Sequence, residues 1–290
     1  MASLKDIRLR IDSTKNTQQI TKAMKLVSAA KLRKAQHNIT NMRPYALALK
    51  SVIANIAATQ KVSHPLMIKK DNVKNVLLVV LTSDRGLCGG FNSSINKFAD
   101  WYILENKNNF EKIEFIFIGK RGADYFSRKK VKGLESITKL DKDISFELAH
   151  SVAAKLISRY LNGSFDEIRL IYNEFKSAIS QKVVCETLLP VEIEKSSFEG
   201  TNFSPDMIFD PAPELIIEDL LMKSFNLQVY RAMSESIASE HGARMTAMEN
   251  ASNNARDMIN KLTLHYNKAR QEKITTELTE IVSGAESLKG

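Results

Sequence analysis

The fold is decided by residues 214–283, which read ELIIEDLLMKSFNLQVYRAMSESIASEHGARMTAMENASNNARDMINKLTLHYNKARQEKITTELTEIVS and contain no proline and one glycine, Gly242. Asp210 can cap the start of a helix, and Pro211 or Pro213 suits a first turn that needs no N–H donor. Gly284 follows where a C-terminal cap is expected. At 1.5 Å per residue the predicted helix is about 100 Å long, which is too long to fold back inside one globular domain.

Apolar and small residues recur along this helix at steps of four and three residues. Heptad spacing of this kind indicates a helix that winds around a second helix. The predicted seam consists of Ile237, His241, Arg244, Met248, Ala251, Ala255, Met258, Leu262, His265 and Ala269. Because the seam residues are small or flexible, we expect a close but weakly sealed pair. The spacing restarts at Ile274, so the tip is expected to extend beyond its partner.

The partner helix is predicted at the other end of the chain. Residues 4–43 contain neither glycine nor proline, and Ser3 with Asp6 resembles a capping box. The apolar positions of this helix are Leu4, Ile7, Ile11, Ile20, Met24 and Val27. Pro44 is expected to break or kink the helix, with residues 45–58 continuing at an angle. We therefore expect the two chain ends to form one antiparallel pair.

The middle of the chain has a different pattern. Four apolar runs predict strands at residues 76–81, 113–118, 167–172 and 182–188, with helices at 94–106, 122–130 and 145–161 between them. Strands alternating with helices indicate a partly parallel sheet with covering helices. The expected fold is thus mixed α/β and α+β: a long antiparallel coiled coil of the N- and C-terminal helices plus a small Rossmann-like α/β domain.

These patterns predict four segments. Residues 1–60 form the N-terminal long helix of a coiled-coil shaft, residues 73–193 the α/β globular domain, residues 194–210 a connector and foot segment, and residues 211–290 the C-terminal long helix.

The composition narrows the class of protein. The chain has 290 residues, of which 43% are hydrophobic and 26% charged, as in a soluble protein. No apolar run approaches the length of a membrane span, and the N-terminus resembles neither a secretory signal nor a transit peptide. Cys88 and Cys185 lie far apart without a metal-ligand pattern, so we expect two free thiols in a reducing compartment.

The net charge of +9 is concentrated at the N-terminus. Residues 1–43 hold ten basic residues against Asp6 and Asp12, a net charge of +8. A basic helix face suits nucleic acid, an acidic membrane surface or an acidic protein, and a solvated face also fits. Residues 1–43 contain no Phe, Tyr or Trp, which argues against single-stranded nucleic acid.

One stretch has the position of a phosphate-binding loop. Residues 83–92, SDRGLCGGFN, follow the first predicted strand and precede a helix. Gly86, Gly89 and Gly90 do not fit G-x-G-x-x-G, and no Gly-Lys-Ser/Thr follows. A tight strand-to-helix turn explains the glycines equally well. Cys88 has no recognisable catalytic base in the sequence, so we do not expect it to act as a nucleophile. For the chain as a whole we expect no catalytic residue, no cofactor and no metal site.

Three stretches carry a resemblance to a known family. They are residues 20–27, ITKAMKLV; residues 83–92; and residues 267–271, NKARQ, with 274–285, ITTELTEIVSGA. Over essentially the whole chain, the sequence resembles the gamma subunit of bacterial F-type ATP synthase.

The resemblance implies a non-catalytic rotor subunit of the central stalk, which couples ion flow through a c ring to ATP synthesis or hydrolysis in the beta subunits. The implied partners are the alpha and beta subunits of a hexamer, the epsilon subunit and the c-subunit ring, with one copy per complex. No nucleic acid and no direct membrane insertion are implied. The implied location is peripheral, on the cytoplasmic face of the bacterial plasma membrane. A generic coiled-coil adaptor and a nucleotide-binding enzyme are the alternatives.

The resemblance also implies contact residues. Arg270 and Gln271 match contacts to a loop of beta, and Met24 with the turn holding Arg85 and Cys88 matches positions that face an acidic segment of beta. The foot on the c ring is matched by Met207, Phe209 and Asp210. The family often has two tyrosines where this chain has Met207 and Phe209, so Asp210 is the expected ionic partner.

Overall fold

The computed structural model describes residues 3–60, 64–138, 145–191 and 211–287. In chain order the elements are α1 (Leu4–Gln60), a short 3-10 helix (Pro65–Met67), β1 (Asn75–Leu81), α2 (Phe91–Asn106), β2 (Lys112–Ile118), α3 (Lys120–Arg128), β3 (Glu135–Ile137), α4 (Phe146–Leu161), β4 (Glu167–Phe175), β5 (Gln181–Leu189) and α5 (Pro213–Ser287). The expected mixed fold is confirmed. Among the described helices, none is both long and apolar enough to cross a membrane.

The sheet has five strands in the order β3-β2-β1-β4-β5. β1 pairs in parallel with β2 and β4, β2 pairs in parallel with β3, and β4 and β5 form an antiparallel pair. The apolar run of β1 is buried because this strand lies at the centre. β3 was not predicted, since a strand of three residues, Glu-Ser-Ile, is too short to show a period.

Side chains alternate along β1 between two apolar layers. Leu77, Val79 and Leu81 face a layer that includes α4 and residues of α1 and α5 from Met42 to Ile56 and from Ile217 to Met233. Val76, Leu78 and Val80 face the other layer, formed mainly by α2 and α3. Each face of the sheet is therefore covered by helices.

The chain divides into two compact units, residues 29–244 and residues 1–28 with 245–290. The first unit contains the sheet and its covering helices. In the second unit the N-terminal part of α1 pairs with the C-terminal part of α5, and Lys25 Nζ lies 2.7 Å from Glu249 Oε1. Ala269 is the last residue of α5 up to Ala285 that is not exposed. It lies 20 residues after Glu249, and Leu4 lies 21 residues before Lys25. This matching indicates that the two helices run antiparallel.

The seam of α1 differs from the predicted one. Ile7, Ile11, Thr21 and Ser28 are buried, whereas Ile20 is 60% and Val27 58% exposed. Thr21 and Ser28 continue the heptad that begins at Ile7, while Ile20 and Val27 lie one residue away on the helix surface. The small hydroxyl side chains fit a close helix pair. Apolar character alone therefore identified Ile7 and Ile11 but missed Thr21 and Ser28.

The seam of α5 follows the prediction at Arg244, Met248 and Ala255, which are buried, and at Leu262 and Ala269, which are partly buried. It departs from the prediction at two positions. Met258 is 55% exposed. His265 is also exposed, whereas Ile259 and Tyr266 are partly buried. After Ala255 the seam therefore runs through Ile259, Leu262, Tyr266 and Ala269, in steps of four and three residues. Residues 270–285 are all exposed, as the restart of the spacing predicts.

Neither a break at Pro44 nor a helix end at Gly284 occurs. α1 runs through Pro44 without ending; the proline is exposed, and the buried Met42 and Leu49 on either side anchor the helix and offset the lost hydrogen bond. α5 passes Gly284 and ends at Ser287, so Gly284 is not its C-terminal cap. Gly242 is needed for space, because a Cβ there would lie 3.2 Å from the Ala178 Cα.

Candidate functional site

The turn between β1 and α2 is held by a compact set of hydrogen bonds. Ser83 Oγ donates to the Arg85 carbonyl oxygen at 2.6 Å, and the Ser83 N–H donates to Asn92 Oδ1 at 2.9 Å. Asn92 Nδ2 donates to Ser83 Oγ at 2.8 Å and to Cys88 Sγ at 3.2 Å. Leu87 and Gly89 have left-handed backbones, with φ of 62° and 56°. These contacts explain the polar residues and Gly89 as parts of a tight turn.

The side chain of Arg244, on α5, binds the backbone of this turn. Its side chain is only 7% exposed, and its Nη1 lies 2.6 Å from Glu240 Oε1. Its Nη2 donates to the carbonyl oxygens of Gly86, at 3.2 Å, and Arg85, at 3.4 Å. A guanidinium can bridge two carbonyl oxygens and one carboxylate because it offers five donors in a fixed plane. Sequence reasoning placed Arg244 on the seam and missed this role, although a charged residue on a small apolar seam was a signal.

The predicted contact residues of the turn differ in exposure. Arg85 and Leu87 are exposed, whereas Cys88 is only 2% exposed. Burial raises the pKa of the Cys88 thiol above its ordinary value. The surface of the turn is therefore formed by Arg85 and Leu87, with the Cys88 thiol beneath them.

The other predicted residues lie on the two long helices or outside the described part. Met24 is partly buried on α1, and Arg270 and Gln271 are exposed on α5, directly after the last seam residue, Ala269. These three residues belong to the second unit, and the turn belongs to the first. The predicted foot residues Met207, Phe209 and Asp210 lie outside the described residues.

A second polar cluster, which sequence reasoning missed, joins α5 to the sheet. Arg231 Nη2 lies 2.6 Å and 2.7 Å from the two carboxylate oxygens of Glu186, and the Tyr172 hydroxyl donates to Glu186 Oε2 at 3.0 Å. Arg231 Nη1 also lies 3.4 Å from Glu235 Oε1. Ser239 Oγ donates to the Asn173 carbonyl oxygen at 3.0 Å. This cluster fixes the position of α5 along β4 and β5.

Glu235 is the poorly paired carboxyl group of that cluster. Burial raises the pKa of its carboxyl, although the nearby Arg231 acts in the opposite direction. Its Oε2 is buried and accepts no hydrogen bond from the described residues. The site therefore holds one well-paired carboxylate, Glu186, and one poorly solvated carboxyl group.

The described residues offer little for covalent or metal chemistry. Both cysteines are free, and burial raises the pKa of Cys185 to about 11. A thiol with a raised pKa is a poor nucleophile at neutral pH. Within the described ranges, no group of three or more His, Cys, Asp or Glu residues is placed to bind a metal ion.

Comparison with known sequences gives matches over the full chain. The family described as ATP synthase matches residues 3–288. The chain is 70% identical over 295 aligned residues to the ATP synthase gamma chain of Bdellovibrio bacteriovorus, with all of both chains covered. It is also 47% identical over 291 residues to the ATP synthase gamma chain of Geobacter sp. strain M21, again over all of both chains.

Comparison with solved structures agrees. A chain from the central stalk and c ring of the Tetrahymena thermophila mitochondrial ATP synthase is 32% identical, with a TM-score of 0.61 over 80% of this chain and 99% of that chain. A chain of the Euglena gracilis mitochondrial ATP synthase, in an assembly of OSCP, F1 and c ring, is 22% identical. Its TM-score of 0.67, over 98% of this chain and 94% of that chain, shows a shared fold.

Proposed function

This chain belongs to the gamma chains of ATP synthase, the central-stalk rotor subunits of the F-type enzyme, and from this premise we propose that it has no catalytic site of its own. It turns inside a hexamer of alpha and beta subunits and couples ion flow through a c ring to ATP synthesis or hydrolysis in beta. One copy serves each complex, and it is bound on the cytoplasmic face of the bacterial plasma membrane without entering the membrane.

The exposed end of α5 is the observation that carries this proposal. Residues 270–285 have no cover from the rest of the described chain, yet they include the exposed apolar side chains of Ile274, Leu278, Ile281 and Val282. A helix that exposes such residues needs a partner that covers them. The inside of a ring of larger subunits provides that cover along the whole tip.

Unequal faces on the helix pair explain how rotation acts on three identical beta subunits. Leu9, Ile20 and Val27 are exposed on α1, whereas the tip of α5 exposes another set of apolar residues. At any one angle each beta subunit meets a different surface. Because a ligand shifts a conformational equilibrium only by binding its states differently, unequal faces can stabilise different nucleotide affinities in the three subunits.

The proposed contacts follow from the matched motifs and the observed exposure. Arg270 and Gln271 contact a loop of beta, where the arginine can form charge-assisted hydrogen bonds. Arg85 with Leu87, and Met24 on α1, contact an acidic segment of beta; Cys88 takes part only through the backbone of its turn. Met207, Phe209 and Asp210 remain the proposed foot on the c ring, and the epsilon subunit is a further proposed partner.

The test replaces Arg270 and Gln271 together by alanine in the assembled membrane complex. We expect ATP-driven ion pumping to fall about tenfold or more, since two polar contacts at about 1 kcal/mol each are lost, while the subunits stay assembled. The matched control is Asn260→Ala with Lys261→Ala, an exposed amide and an exposed base earlier on α5. Pumping and hydrolysis equal to those of the control would contradict the assigned contact, and ATP hydrolysis by the isolated chain would contradict a non-catalytic role.

A further inference from the structure

A cleft of about 250 Å³ lies between the first half of α2 and α3, beside the strand-to-helix turn. Its walls include Ser93, Asn96 and Lys97 of α2 and Arg121, Tyr125 and Arg128 of α3. The spacing explains the grouping, because residues four apart and seven apart share one face of a helix. Two helix faces with polar residues thus meet over one small space.

The cleft carries basic side chains that the described residues do not neutralise. In the described ranges, no carboxylate lies within ion-pair distance of Lys97, Arg121 or Arg128, whereas the neighbouring Lys129 is paired with Asp100 at 2.5 Å. Asp124 also lines the cleft, so three bases and one acid give the lining a net charge of +2. A site of this charge and small volume attracts an anion.

The side chain of Asn96 indicates which kind of anion the cleft binds. This side chain is only 5% exposed, it lines the cleft, and its Oδ1 accepts no hydrogen bond from the described residues. A buried acceptor without a donor is unfavourable, so a bound group that donates a hydrogen bond would be stabilised there. The ligand therefore combines negative oxygens with a hydroxyl or other donor.

The N-terminus of α2 also attracts an anion to the cleft. Its N-cap residue is Gly90, which offers no side chain to the free N–H groups of the first turn. The positive end of the helix dipole favours an anion near this turn, where Ser93 faces the cleft. The net positive charge of the lining, the unpaired oxygen of Asn96 and the N-terminus of α2 are therefore all found at the same cleft.

We propose that this cleft binds hydrogenphosphate. Arg121 and Arg128 bind the charged oxygens, and Asn96 Oδ1 accepts a hydrogen bond from the P–OH. A carboxylate satisfies the arginines but brings no donor for Asn96 at neutral pH. The volume is below the range of pockets that enclose drug-sized ligands, so a phosphate group fits where a whole nucleotide does not. This site is independent of the rotor function.

The test is calorimetric titration of the isolated full chain, because catalytic subunits would bind phosphate themselves. Inorganic phosphate is compared with sulfate, which has the same shape but no hydroxyl at neutral pH, and with ADP, which carries phosphate on a larger body. We expect phosphate to bind with a Kd at or below about 1 mM and at least about tenfold more tightly than sulfate. ADP is expected to bind more weakly than phosphate.

Variants assign the binding to named residues. Arg121→Gln and Arg128→Gln are each expected to weaken phosphate binding about tenfold, and Asn96→Ala to remove the preference over sulfate. Lys107→Gln, at the far end of α2, is the matched loss of one charge and should bind as the unaltered chain does. Circular dichroism and melting establish that each variant is folded. No binding up to about 10 mM phosphate, equal binding of sulfate, an unchanged Arg121→Gln, or tighter binding of an oligoglutamate peptide would each overturn the proposal.

Discussion

At the scale of single residues, Arg244 joins the turn after β1 to α5. Its guanidinium is buried, paired with Glu240 and bonded to the carbonyl oxygen of Gly86. Removing one partner of a buried ion pair leaves the other charge poorly solvated. We expect Arg244→Ala to lower the free energy of unfolding by about 3 kcal/mol, measured by denaturant unfolding of the full chain.

The control for this prediction is on the same helix. Arg256 is 63% exposed at its side chain and lies 4.0 Å from Asp257, at the limit of an ion pair. Arg256→Ala is expected to change the free energy of unfolding by less than about 0.5 kcal/mol. Equal effects of the two substitutions would show that Arg244 does not fasten the turn.

The raised pKa of Glu235 predicts that the stability of the fold depends on pH. Its folded-state pKa is raised above the ordinary value of 4.5 by burial, so the folded chain holds this proton at pH values where the unfolded chain has released it. The contribution to stability is therefore present at low pH and is lost as pH rises from the unfolded value through the folded one. Glu235→Gln keeps a neutral side chain at every pH. We expect this variant to match the unaltered chain near pH 4 and to be more stable at pH 7.

Unfolding curves at several pH values check this expectation. The exposed Glu218→Gln on the same helix should not change the pH dependence. A Glu235→Gln variant less stable at pH 7 than the unaltered chain would mean that the ionised carboxylate, through Arg231, stabilises the fold.

The residue scale is also where the sequence was least informative. The turn at residues 83–92 could be recognised from its glycines and its place after a strand. The burial of Cys88 beneath Leu87, and the contact of Arg244 with that turn, depend on residues more than 150 positions apart in the chain meeting in space. Local patterns carry no information about such meetings, and the Arg231 cluster was missed for the same reason.

At the scale of elements, prediction from sequence worked well where a pattern was long. Four of the five strands and all the main helices were expected, because apolar runs and the scarcity of glycine and proline are strong signals. Beyond Ala255 the predicted seam was right at Leu262 and Ala269 and wrong at two other positions, because two overlapping heptads offered plausible residues. Met258 and His265 fit one, and Ile259 and Tyr266 fit the other. Only packing against α1 distinguishes them.

A pair of substitutions tests the corrected seam. Ile259→Asp places a charge against α1, which is unfavourable in an apolar contact, and should weaken the helix pair by about 2 kcal/mol. Met258→Asp places the same charge on an exposed face and should have little effect. Hydrogen exchange of residues 4–28 measures the opening of the pair. Faster exchange in the Met258 variant than in the Ile259 variant would restore the original seam.

At the scale of the whole molecule, the charge distribution bears on assembly. Residues 1–43 carry a net +8 out of the total of +9, and an acidic partner surface would be attracted over a distance that shortens as salt increases. The family resemblance supplied this partner from sequence; charge alone left nucleic acid and membranes open. We expect the association rate of the full chain with the alpha and beta subunits, its proposed partners, to fall at least about tenfold between about 0.05 and 0.5 M salt. Lys15→Gln with Lys22→Gln should reduce this dependence, whereas Lys107→Gln with Lys132→Gln, two exposed lysines of the α/β part, should not. Two results would contradict this prediction: an association rate that does not depend on salt concentration, or equal effects of the two double variants. Either would mean that the basic helix is a solvated surface and that apolar contacts at the tip of α5 control assembly.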